Sequence, residues 1–145
     1  MDNTSTISFE VDTSDATAAI GIAVWLDDVC VYQINHLTQS ERIEHAVIDD
    51  DGPHELRIVV SGKTTDHTII DEHGNITKDV VVNVSNVTID GIDITQLFND
   101  KSVYTHDFNG TQSEIKDSFH GIAGCNGTIS FGFSAPIYLW LLENM

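Results

Sequence analysis

The 145-residue sequence predicts an all-β protein. The expected architecture is an antiparallel β-sandwich, jelly-roll-like, with an immunoglobulin-like Greek key as the alternative. Three observations predict it. Apolar residues recur with a period of two almost everywhere, and the runs are short and rich in β-branched and aromatic side chains. Turn-forming residues punctuate those runs at close intervals. No window carries the i, i+3, i+4, i+7 apolar stripe of a capped amphipathic helix.

The elements follow in order. Ile7, Phe9 and Val11 alternate with Ser8, Glu10 and Asp12. Ile20, Ile22, Val24 and Leu26 alternate with Gly21, Ala23 and Trp25, which places Trp25 away from the main core. Asp27-Asp28 reads as a short hairpin loop into a run that holds Cys30, read as a small core residue. Asp51-Gly52-Pro53 leads into Leu56, Ile58 and Val60, and Ser61-Gly62-Lys63, His73-Gly74-Asn75 and Asp90-Gly91 mark further reversals. Val80, Val82 and Val84 are in phase with one another but not with Val87, so a bulge at Ser85-Asn86 is expected to restore the inward face. One helical turn is expected near Thr95 to Asn99, and the stretch from Asn99 to Gly127 reads as a long irregular segment. Ile129, Phe131 and Phe133 return to strand. Ile137 to Leu142 are apolar on both faces, as in a central strand or a strand that meets another chain.

The length suits a single domain spanning 1–145. Six Lys and Arg against 23 Asp and Glu give a net charge of −17. That balance argues against nucleic-acid binding, which needs cations on phosphates, and against a polybasic membrane anchor. The sequence has no apolar run long enough for a membrane span, and its start lacks the basic and apolar regions of a signal peptide. The Asn-x-Ser/Thr triplets at Asn3, Asn75, Asn83, Asn86, Asn109 and Asn126 therefore read as polar strand faces and turns. Cys30 and Cys125 lie far apart in the sequence and read as free thiols, with a disulfide as the alternative.

Motifs for catalysis are missing: no nucleophile elbow, zinc-protease helix, P-loop or dinucleotide fingerprint. No catalytic residue is expected. The seven histidines are dispersed, although His67 and His73 flank one turn. Acidic loops are the metal candidates: Asp49, Asp50 and Asp51 before Gly52, and Asp71, Asn75 and Asp79 around a second glycine loop. Calcium needs six to eight oxygen ligands, which such loops supply, so calcium is the candidate cofactor. The alternative is a solvated acidic loop.

Two resemblances add to this reading. Ala-Val-Trp-Leu-Asp-Asp-Val-Cys-Val, Ala23 to Val31, and Asn83 to Gly91 with Ile92-Asp93-Ile94 resemble strands of small calcium-dependent xylan-binding modules. Asp28 stands where that family prefers glycine, and no ligand or metal residue is carried over. The resemblance implies a glycan partner, with Trp25, Tyr32 and Tyr104 as the candidate aromatic contacts. Phe108-Asn109-Gly110, Gly124 to Thr128 and Pro136 to Asn144 resemble accessory proteins of tailed bacteriophages. That implies a non-enzymatic virion component (head decoration, neck, tail or fibre) made in the host cytoplasm, with virion subunits as partners; this is the leading functional expectation, and the glycan-binding module is the alternative. A homo-oligomer is expected, with Ile137, Tyr138, Trp140 and Leu142 at the partner interface.

Overall fold

The computed structural model describes residues 4–48, 50–64, 69–106 and 113–145. The strands are β1 (Thr4–Thr13), β2 (Gly21–Leu26), β3 (Val29–Ile34), β4 (Glu41–Ile48), β5 (Pro53–Ser61), β6 (Ile69–Ile70), β7 (Ile76–Lys78), β8 (Val82–Ile89), β9 (Ile92–Asp93), β10 (Val103–His106), β11 (Ile115–Ser118), β12 (Ile122–Ala123) and β13 (Gly127–Ser134). Two helices join them, α1 (Thr95–Lys101) and α2 (Ile137–Asn144). One sheet runs β12-β8-β1-β4 with β9 on β8, the other runs β11-β10-β13-β5-β2-β3, and β6-β7 is a separate hairpin. The antiparallel sandwich expected from the period of two is what forms.

Turn chemistry sets the register. Asp27 and Asp28 both take positive φ, 50° and 69°, the geometry of a two-residue hairpin whose twist matches its strands. Asp90 and Gly91 do the same between β8 and β9, at 51° and 79°. The expected bulge is present. Between the pairs Ser8–Thr88 and Glu10–Ser85, β8 spends two residues against one on β1. Asn86 takes φ 51° there, and Val84, Val87 and Ile89 all stay buried.

The core lies between the two sheets. Ile7, Phe9 and Val11 of β1 face Ile22, Val24, Ile58, Ile129 and Phe131 of the other sheet, all buried. Helix α1 closes one end: Phe98 is fully buried, 5.0 Å from Phe131 and 6.0 Å from Phe119 between ring centroids. The helix is anchored to β8 by Ile94 N–H donating to Val87 O and by Val87 N–H donating to Thr95 Oγ1.

Three expectations are corrected. The C-terminal run is helix α2, not a strand. An apolar run of this length fits either state, and period alone does not separate them. Ile137 and Leu141, one turn apart, point into the core, while Trp140 packs edge-on against Phe131 at 5.8 Å. Cys30 is exposed rather than buried, because β3 is the edge strand of its sheet and Cys30 stands opposite Trp25 on the outward face. The stretch from Asn99 to Gly127 is less irregular than expected, since it holds β10, β11 and β12. No disulfide joins Cys30 and Cys125.

Candidate functional site

Among the described residues a wide cleft lies beside α1. Asp93, Thr95, Gln96, Asn99, Asp100, His120 and the exposed Met145 line it around the buried Ile94 and Leu97, over about 680 Å³. Its shape follows from the local chain. Thr95 N–H donates to the Asp93 carboxylate, which fixes the start of the helix and holds the Asp93 carboxyl below its usual range. The helix buries Leu97 and Phe98, so Gln96, Asn99 and Asp100 fall on its other side. His120 follows Phe119, whose burial pins that turn, and Gly121 at φ 93° lies against the Asn99 amide. Asn99 Oδ1 is buried without a hydrogen-bond partner. An orphaned amide oxygen costs free energy, and sites that bind polar ligands tolerate such groups.

A second cleft, about 490 Å³, opens between the edge strands β3 and β4. His54 lies on its rim with both ring nitrogens engaged: Nδ1 is 2.5 Å from Asp27 Oδ2 and Nε2 is 2.9 Å from Asp50 Oδ1. The ring also stacks on Phe133. Burial works against a charged ring, but the hydrogen bonds to Asp27 and Asp50 outweigh it and raise the His54 pKa. The same histidine is the main cause that lowers the Asp50 pKa.

The residues singled out by sequence are dispersed. Trp25 sits half-buried on the outer face of the six-stranded sheet, with the Arg57 guanidinium 5.8 Å over its ring. Tyr32 packs against the edge of the core. Tyr104 does not reach a ligand surface: it is buried, and its hydroxyl donates to Cys125 O at 2.5 Å. Burial pushes that hydroxyl up to about 12. Of the interface residues, Tyr138 and Leu142 are exposed, whereas Ile137 is in the core and Trp140 is half-buried. The inward turn of a helix, absent from a strand reading, accounts for that split.

The metal candidates do not converge. Asp49 lies outside the described residues. Asp50 is taken by His54 and Gly52 N–H, and Asp51 is an exposed bend residue. Asp71 accepts the N–H groups of His73 and Asn75 and closes its own turn. Asp79 pairs with the Lys63 ammonium at 2.6 Å. Among the described residues no group of three or more His, Cys, Asp and Glu side chains is placed to hold a metal ion. Sequence reasoning missed the α1 cleft. Its only signal was a run of polar residues around one helical turn.

The architecture is an antiparallel β-sandwich of two sheets. No protein-family model matches the chain, and no curated protein matches it. Two solved structures are similar. One is the selenomethionine form of vCBM60, from a study linking two families of calcium-dependent carbohydrate-binding modules by circular permutation. It is 16% identical with a TM-score of 0.55, over 88% of this chain and 90% of that one. The other is vCBM60 in complex with galactobiose, 17% identical with a TM-score of 0.54, over 88% of this chain and 97% of that one. At this identity the likeness establishes the fold. Of the carboxylates expected to hold calcium, Asp50, Asp71 and Asp79 are each held by a neighbouring donor, and they form no group placed around one ion.

Proposed function

We propose that this protein is a non-catalytic module that binds a neutral glycan in the cleft beside α1. The observation that supports it most is the cleft itself, on a sandwich whose fold is shared with a module solved with galactobiose. Amide, carboxylate and imidazole groups beside apolar side chains match a sugar ring, which offers hydroxyls at its edge and C–H groups on its face. Asp93 and Asp100 on the rim, and the net charge of −17, repel uronic or sulfated glycans, so the ligand class is uncharged.

The test is a glycan array followed by calorimetric titration with the retained oligosaccharide. Asn99→Ala is expected to weaken binding about tenfold or more, and Trp25→Ala to leave it unchanged. Retention of no neutral glycan, or the opposite mutational pattern, sinks the reading.

A second reading keeps the protein as a structural subunit, of a phage particle in the sequence resemblance above. It is favoured by α2, where Tyr138, Leu142 and the adjoining Met145 are exposed beside Ile92. It expects an oligomer by light scattering that Leu142→Glu dissociates, and a clean monomer removes its homo-oligomeric form.

A further inference from the structure

The two sheets are joined at one end by a buried lysine. Lys63 follows β5 of the six-stranded sheet and is only 6% exposed. Its ammonium is 2.6 Å from Asp79 Oδ1, just before β8 of the five-stranded sheet. The same ammonium donates to Gly124 O, in the crossover that carries the chain from β12 of one sheet to β13 of the other. The backbone of Lys63 is gripped by one amide: Lys63 N–H donates to Asn126 Oδ1, and Asn126 Nδ2 donates to Lys63 O, both at 2.8 Å. Tyr104 fixes the residue between, donating to Cys125 O and accepting from Cys125 N–H. A carboxylate and a carbonyl from separate strand connections therefore converge on one positive charge.

That is the arrangement a bound cation would make, and here the cation is covalent. We propose that the Lys63 ammonium is the resident cation of this sheet junction, so that no divalent ion is needed to hold the Asp79 carboxylate and the Gly124 carbonyl together. The physical reason is competition. An ammonium attached to the chain occupies the Asp79 and Gly124 oxygens at no cost in association entropy. A calcium ion would have to displace it and leave a charged lysine side chain, 4% exposed, without its partners. The inference goes beyond glycan binding and does not rest on it, since it concerns only the fold and this side-chain cluster.

The test is thermal unfolding of the whole chain, with no glycan present. Melting temperature is measured in EDTA, in millimolar calcium, and in magnesium and sodium chloride at matched ionic strength. The expected result is one melting temperature in EDTA and calcium once ionic strength is matched. A rise of several degrees that calcium gives and magnesium does not overturns the proposal, because a specifically bound ion stabilises by mass action. Lys63→Met is expected to lower the melting temperature by about 10 °C, because it takes the ammonium away from the Asp79 carboxylate and the Gly124 carbonyl. Asp79→Asn, the milder change, is expected to restore part of that loss when combined with Lys63→Met. Additive losses in the double variant mean that the ammonium is not neutralising Asp79, and they also overturn it.

Discussion

His54 carries a stability contribution that changes with pH, and its direction follows from its partners. The ring is clamped by Asp27 and Asp50 and its pKa is raised above 6.5. A raised pKa means that protonation favours the folded chain. The contribution is complete below the unfolded value and is lost as pH rises through the folded one. Asp50 has the opposite sign: its pKa is lowered below 3.8, so its share is present above that value and is lost on acidification. Stability is therefore expected to peak between the two and to decline as pH rises above the ordinary histidine range. His54→Gln should flatten that decline, and a variant whose melting temperature still falls with the wild-type slope shows that another group is responsible. Tyr104 offers a test without titration, since its hydroxyl both donates to and accepts from Cys125. Tyr104→Phe leaves a carbonyl and an N–H of the crossover without that partner, and should cost about 1–3 kcal/mol in urea unfolding.

Helix α2 divides its apolar residues between two tasks. Leu141 is buried against the sandwich, and Leu142, the next residue, is 82% exposed. Leu141→Ala should cost about 3 kcal/mol. Leu142→Ala should change monomer stability by less than about 0.5 kcal/mol. Equal losses would mean that the helix does not sit as described. Tyr138 adds a tether, donating to Asp90 Oδ2 in the β8–β9 turn, whose other oxygen accepts Thr6 N–H. The sequence showed this region only in part. Strands with one buried face, such as Ile7-Phe9-Val11, announce themselves by alternation, and the Asp27-Asp28 and Asp90-Gly91 hairpins by turn chemistry. The bulge at Asn86 was legible because a shifted phase has one cheap remedy. Ile137 to Leu142 were not legible, since a run without polar residues has no period to read. Neither was the α1 cleft, because Asp93, Asn99 and His120 are brought together by the β10–β11 excursion and the turn before β12, not by spacing. Acidic loops looked like metal sites because sequence lists carboxylates but not the donors folded against them.

The charge of the whole chain decides how its surface responds to salt. Twenty-three acidic residues face six basic ones. The described ion pairs of Arg42 with Glu10 and Glu44, and of Arg57 with Asp28 and Glu55, lie at the surface with each pair at least partly in solvent, and such pairs are worth little. Repulsion among the unpaired carboxylates is thus the larger long-range effect, and it opposes the compact state. Added sodium chloride screens it, the Debye length shrinking from about 10 Å at 0.1 M to about 3 Å at 1 M. The Lys63–Asp79 pair, with the lysine side chain out of water, is screened far less and persists. Melting temperature is therefore expected to rise with sodium chloride over that range, and to rise equally with potassium chloride, because no specific ion is involved. A fall with salt would mean that attractive surface pairs outweigh the repulsion. In Lys63→Met the same rise should be steeper, since that variant carries one more uncompensated negative charge at the junction of the two sheets, where screening by mobile ions must replace the fixed ammonium.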